Sequence, residues 1–262
     1  MSEASVVLRD LSIGYRTKQG IRVVAHDITA TLQRAQLTCL LGENGVGKST
    51  LLRTLAAFQS PLSGTVLLQG RPLKDYSDRE LARTIGIVLT EKPDVQQMTA
   101  RELVEMGRAP YTGFWGGLSD DDRAACDEAI AMTAISHLAN RHVHTLSDGE
   151  RQKVMIAKAL AQQTTIIYLD EPTAFLDYPS KVDMLLLLRR ICQERQKTIF
   201  LSTHDLELAL QVADTLWLMS RENGLQIGSP QRLAATGALK QFIERSQDIR
   251  FDAQTLSIRV KN

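Results

Sequence analysis

The chain has 262 residues, 44% of them hydrophobic and 23% charged, with 31 Lys and Arg against 30 Asp and Glu. The resulting net charge of +1 argues against a strongly basic nucleic-acid-binding coat. The composition excludes a mostly disordered chain, and the length is ample for one large domain with a buried core. The first thirty-odd residues read as strands, with Ile28, Ala30 and Leu32 alternating with polar neighbours at the period of a half-buried sheet. Leu37 to Leu41 is a short apolar run ending at glycine and reads as a buried strand. From Lys48 the pattern turns helical, with Leu51, Leu52 and Leu55 on one face. Val66–Leu68 and Ile85–Leu89 read as further strands, and between them Ser77 with Glu80 is a capping box that opens a short helix. Thr99 with Glu102 and Ser119 with Asp122 open two more, the second running through Ala124, Ile130 and Met132. Ser147 with Glu150 opens a long helix through Met155 and Leu160.

Strands recur at Ile166–Leu169, Thr198–Leu201 and Thr215–Met219, with helices starting near Pro179 and Asp205. This alternation predicts a mostly parallel sheet covered on both faces. After Gly224 the pattern weakens to a hairpin, a short helix and a polar tail. No apolar run approaches the roughly 18 residues of a membrane span, because the richest stretch, Met184 to Leu188, runs straight into Arg189 and Arg190. The opening residues, with Glu3, Arg9 and Asp10, lack the order of a secretory signal. Cys39, Cys126 and Cys192 are far apart and odd in number, which fits a reducing compartment better than a disulfide or zinc framework.

The strongest chemical signal is Gly42-Glu43-Asn44-Gly45-Val46-Gly47-Lys48-Ser49-Thr50, which contains a phosphate loop. Its glycines allow a tight turn that aims backbone N–H groups at an anion. Lys48 adds charge for the β- and γ-phosphates, and Ser49 carries a hydroxyl suited to Mg²⁺. The motif lies between a predicted strand and a predicted helix, as that mechanism requires. The second signal is the apolar strand Ile166–Leu169 running into Asp170 and Glu171. Asp170 is placed to support Mg²⁺ and Glu171 to polarise an attacking water. The third is Leu146-Ser147-Asp148-Gly149-Glu150, by itself an ordinary helix N-terminus with free N–H groups and a serine.

These motifs, in this order, make the chain resemble an ATP-binding-cassette (ABC) ATPase over about residues 3–230, whose signature is LSGGQ or a near variant. The resemblance implies an α/β phosphate-loop NTPase core, 3–94 and 163–230, with an antiparallel β edge, an inserted helical lobe at about 95–162, and a C-terminal extension, 231–262. It implies ATP and Mg²⁺ as cofactors. Tyr15 then falls where such ATPases carry an aromatic that stacks on adenine, Asp177 in the loop that crosses to the partner, and His204 where a histidine contacts the γ-phosphate. The family usually has a glutamine after the strand preceding the lobe. Here the run is Val88-Leu-Thr-Glu91, so Glu91 takes that place, either reaching Mg²⁺ or lying on the loop surface.

The resemblance further implies two copies paired head to tail. Each ATP is then served by Lys48 and Glu171 of one copy and by Ser147, Asp148, Gly149 and Glu150 of the other. The segment Met98 to Tyr111 is similar to that of importers of iron–siderophore complexes, haem and cobalamin, at the place where a membrane subunit docks. The expected setting is the cytoplasmic face of the cell membrane, peripheral, with separate multi-span permease subunits, a substrate-binding protein acting indirectly, and no nucleic acid. The alternatives are a soluble ABC ATPase of an assembly system such as iron–sulfur cluster biogenesis, and, more remotely, a phosphate-loop kinase or GTPase.

Overall fold

The structure, a computed structural model, describes residues 4–18, 20–90, 95, 97–113, 116–244 and 248–260. The chain divides into two compact units, one made of 1–75 with 188–262, the other of 76–187. In the first unit, Ala4–Thr17 pairs antiparallel with Gly20–Gln33 on one side and with Ser63–Leu68 on the other, which in turn pairs with Arg71–Pro72. Val6 and Leu8 are buried on one face, as are Leu11 and Ile13, although the two pairs are out of step by one residue. A bulge explains this. Leu8 pairs with Ala30 and Leu11 with Ile28, so an extra residue sits in the first strand, where Asp10 takes φ 47°. The partner face is Ile28, Ala30 and Leu32, all buried.

The same unit carries a second sheet. Leu37–Gly42 lies parallel to Thr198–Thr203 on one side and to Thr215–Ser220 on the other, and Gly224–Gly228 adds antiparallel at the edge. Leu37, Cys39, Leu40 and Leu41 are all buried, which is why this strand shows a continuous apolar run in place of alternation. All three cysteines are buried free thiols, and burial raises the Cys39 thiol far above its usual range. Register places Leu41 beside Thr203 and Gly42 beside Met219, so the carboxyl ends of the three parallel strands finish together. Open α/β sheets bind their ligands at such an edge. The polar tail is more ordered than its composition suggests. It forms helices Pro230–Ala235 and Ala238–Ile243 and a two-stranded ribbon of Ile249–Asp252 with Ser257–Val260, anchored by buried Phe251 and its N–H bond to Glu244.

The second unit pairs Ile85–Val88 parallel with Ile166–Asp170 and carries helices Asp78–Thr84, Ala100–Glu105, Asp120–Met132 and Asp148–Ala161. Each of these four helices begins with a complete reciprocal capping box, at Ser77/Glu80, Thr99/Glu102, Ser119/Asp122 and Ser147/Glu150. Arg108 ties the helical part together from within. Its side chain is only 6% exposed and bonds Asp122 at 2.8 Å, the Ala161 carbonyl at 2.7 Å and the Gln163 amide oxygen at 3.0 Å, while stacking 3.9 Å from the Tyr111 ring centroid. A planar guanidinium suits this fork of partners, where a lysine would satisfy few of them.

The capping carboxylates should make this unit acid-sensitive. The Ser119 hydroxyl, then its backbone N–H and Arg108, hold Asp122 down to about 2. The backbone N–H of Thr99 lowers Glu102, and that of Ser147 lowers Glu150. For a depressed carboxylate, the stabilisation is complete above the unfolded value and is lost as pH falls through the folded one. Helix content measured by circular dichroism should therefore melt at lower temperature at about pH 3 than at about pH 5. Substituting Ala for Ser119 and Ser147 should shrink that difference, and equal melting at the two pH values would show that the boxes add nothing.

Candidate functional site

The phosphate loop begins where the strand Leu37–Gly42 ends. Gly45 and Gly47 take φ 73° and 117°, a region that L side chains rarely occupy, and a Cβ on Gly47 would stand 2.4 Å from Val24 Cγ1. Helix Lys48–Leu55 starts at Gly47 with no side-chain cap, which leaves its first N–H groups aimed into the loop. Lys48 is buried, and its ammonium donates to the Gly42 carbonyl at 2.9 Å and the Glu43 carbonyl at 3.2 Å, with His204 Nε2 at 3.4 Å. His204 is exposed just beyond the strand Thr198–Thr203, at the same sheet edge. Glu43, Asn44 and Ser49 are exposed, and Val46 is buried. The Tyr15 hydroxyl meets the Thr50 hydroxyl at 2.8 Å, so the first unit brings the aromatic candidate onto the turn that holds the loop's lysine.

In the second unit, Asp170 ends the strand Ile166–Asp170, and its carbonyl accepts a hydrogen bond from the Thr90 hydroxyl at 2.7 Å. Thr90 lies in the same run as Glu91, and nothing in its immediate sequence signals that bond, which spans 80 residues. Glu91 itself lies outside the described residues. Glu171 adopts φ 50°, and its carbonyl accepts from Ala174 N at 3.0 Å. Asp177 caps helix Tyr178–Arg195: its carboxylate accepts from Ser180 N at 3.1 Å, and the Ser180 bonds hold it below the usual carboxylate range.

Ser147 caps Asp148–Ala161. Its hydroxyl donates to Glu150 Oε2 at 3.0 Å and accepts from Glu150 N at 3.3 Å. Arg151 holds Asp148 at 3.3 Å and the Leu146 carbonyl at 3.1 Å. A Cβ on Gly149 would meet nothing closer than 3.8 Å. The signature helix thus presents an exposed N-terminal serine, and at half-buried Gly149 a Cβ would make ordinary contact with Leu176 and Ser180.

A strand, a glycine loop and a helix opening on a buried lysine define a phosphate-loop nucleotide-binding protein. The comparisons narrow the class. The family described as ABC transporter matches residues 25–174. The ferric enterobactin transport ATP-binding protein FepC of Escherichia coli is 35% identical over 252 residues, 95% of this chain and 90% of its own length. The iron(3+)-hydroxamate import ATP-binding protein FhuC of Bacillus subtilis is 33% identical over 252 residues, 96% and 92% of the two chains. A dimeric bacterial ABC transporter cassette superposes with a TM-score of 0.74 at 25% identity, covering 86% of this chain and 98% of that one. The chain belongs to the ABC transporter family and is one of its ATP-hydrolysing, ATP-binding cassettes.

Ser49, in the first unit, carries a hydroxyl and Asp170, in the second, a carboxylate, and each by itself is a hard oxygen donor of the kind Mg²⁺ takes. Among the described residues no group of three or more His, Cys, Asp or Glu gathers to hold a metal. No described helix is long and apolar enough to cross a membrane.

Proposed function

We propose that this chain powers uptake of an iron–siderophore, haem or cobalamin-type substrate through separate membrane subunits, working as a head-to-tail pair of copies at the cytoplasmic face of the membrane. The observation that carries the reading is the transport naming of relatives such as those of E. coli and B. subtilis, which align along nearly the whole of both chains. Relatives named for achromobactin transport and cobalamin import, at 35% and 33% identity, point the same way, and the assembly-ATPase alternative is not favoured.

In this reading the loop N–H groups and Lys48 hold the β- and γ-phosphates, Tyr15 stacks on adenine, and His204 touches the γ-phosphate. Ser49 and Asp170 hold Mg²⁺, which supplies charge neutralisation on the phosphates. Glu171 orients and polarises the attacking water. The N-terminus of the partner copy's signature helix, at Ser147 and Gly149, clamps the same γ-phosphate, with Asp148 and Glu150 flanking it. Asp177 reaches across to the partner copy, and Glu91 takes the role of the family's usual glutamine toward Mg²⁺.

Lys48→Ala removes a charge-assisted contact and should weaken ATP binding about 10- to 100-fold, measured by calorimetry; unchanged affinity would overturn its role. The reading as a whole is tested in a strain deleted for this chain. Uptake of a radiolabelled ferric siderophore, of haem and of cobalamin should fail for one of the three and return with the wild-type gene but not with Lys48→Ala. Undiminished uptake of all three would overturn the importer assignment.

A further inference from the structure

Tyr15 is 40% exposed, yet its hydroxyl is not left to solvent. It lies 2.8 Å from Thr50 Oγ1, and Thr50 is buried in the first turn of the helix that follows the phosphate loop. Thr50 is itself held, because its carbonyl accepts the Thr54 hydroxyl at 2.8 Å. The backbone before Tyr15 and the Arg16 side chain after it are bonded to the segment after that helix. The Gly14 carbonyl accepts from the Gln59 amide, Arg16 donates to the Leu62 carbonyl at 3.3 Å, and Leu62 N donates to the Ser12 carbonyl at 2.8 Å. These contacts fix where the ring starts. They leave its swing about the side-chain torsions open, and a half-exposed ring in an otherwise open position would sample several rotamers.

We infer that the Tyr15–Thr50 hydrogen bond is a positioning device that locks the ring onto the phosphate-loop helix, so that the base of a bound nucleotide is held in register with its phosphates. The inference rests on Tyr15 meeting the base, as in the proposed function. The bond contributes by removing rotamer freedom from the free protein, so a nucleotide no longer has to order the ring when it binds. Its effect should be felt by a ligand with a base and not by one that has only phosphates.

The test is calorimetric titration of the full chain with ATP and, separately, with inorganic tripolyphosphate, both without divalent cation so that nothing turns over. Tyr15→Phe keeps the ring and removes only the hydroxyl. It should lower ATP affinity about three- to tenfold, the span of one net neutral hydrogen bond, and leave tripolyphosphate affinity within about twofold. In a Thr50→Val background the same change should have no further effect, since the partner is already gone. Tyr15→Ala should weaken ATP more than Tyr15→Phe does. If Tyr15→Phe binds ATP as the parent does while Tyr15→Ala is weakened, the ring meets the base but the bond does not position it, and the inference falls while the base contact stands. If Tyr15→Ala binds ATP as the parent does, the base contact itself is wrong and takes the inference with it. Equal weakening toward ATP and tripolyphosphate would show that the hydroxyl acts on the loop and overturn the inference.

Discussion

Glu171→Gln is expected to bind ATP as the parent chain does and to lose nearly all turnover. The residue follows a rigid buried strand and sits at φ 50°, a left-handed conformation that a glutamate adopts only when its surroundings impose it. The turn closed by Ala174 N on the Glu171 carbonyl supplies part of that constraint. An amide of the same shape keeps the backbone and the packing but cannot take a proton or polarise water. Removing general-base assistance should lower phosphate release by about 10²- to 10⁴-fold. The unhydrolysed nucleotide should hold two copies together, visible as an ATP-dependent dimer on gel filtration. Phosphate release within a few-fold of the parent would show that another group activates the water.

Ser147→Arg should abolish hydrolysis while leaving nucleotide binding by a single copy intact. The substitution puts a long side chain at the exposed helix N-terminus, where the partner's γ-phosphate is proposed to dock. It also removes a cap, which costs about 0.5–2 kcal/mol. The helix keeps a face of Val154, Ile156, Ala157 and Leu160 in the core, so it should survive that loss. Mixing the variant with Lys48→Ala separates a blocked shared site from a misfolded chain. A head-to-tail pair of the two has one site with both defects and one with neither, and random pairing would restore about a quarter of the parental rate if single sites work alone. Full activity of Ser147→Arg by itself would refute a site shared between copies.

The candidate site was legible where its chemistry is local. Lys48 and its glycines follow from nine consecutive residues, because the backbone of a phosphate loop is set by which positions tolerate positive φ. Asp170 and Glu171 follow from an apolar strand that ends in acids. The roles proposed for Tyr15 and His204 rest on resemblance alone. The contacts that seat those two residues, Tyr15 to Thr50 across 35 residues and Lys48 to His204 across 156, leave no trace in the neighbouring sequence. The bonds of Thr90 to Asp170 and of Arg108 to Ala161 were invisible for the same reason.

The same division runs through the fold. The sequence by itself determined the four capped helices, because both hydrogen bonds of a capping box join residues three apart. It determined the buried strand Leu37–Gly42 and the alternating face of Ile28, Ala30 and Leu32, since each is a periodicity within one segment. Only the tertiary structure decided the bulge at Asp10 and the ribbon that Ile249–Asp252 makes with Ser257–Val260. Strand pairing and register depend on which partner a segment meets. A short segment such as Ile249–Asp252, with one buried phenylalanine, carries too little pattern to name its partner.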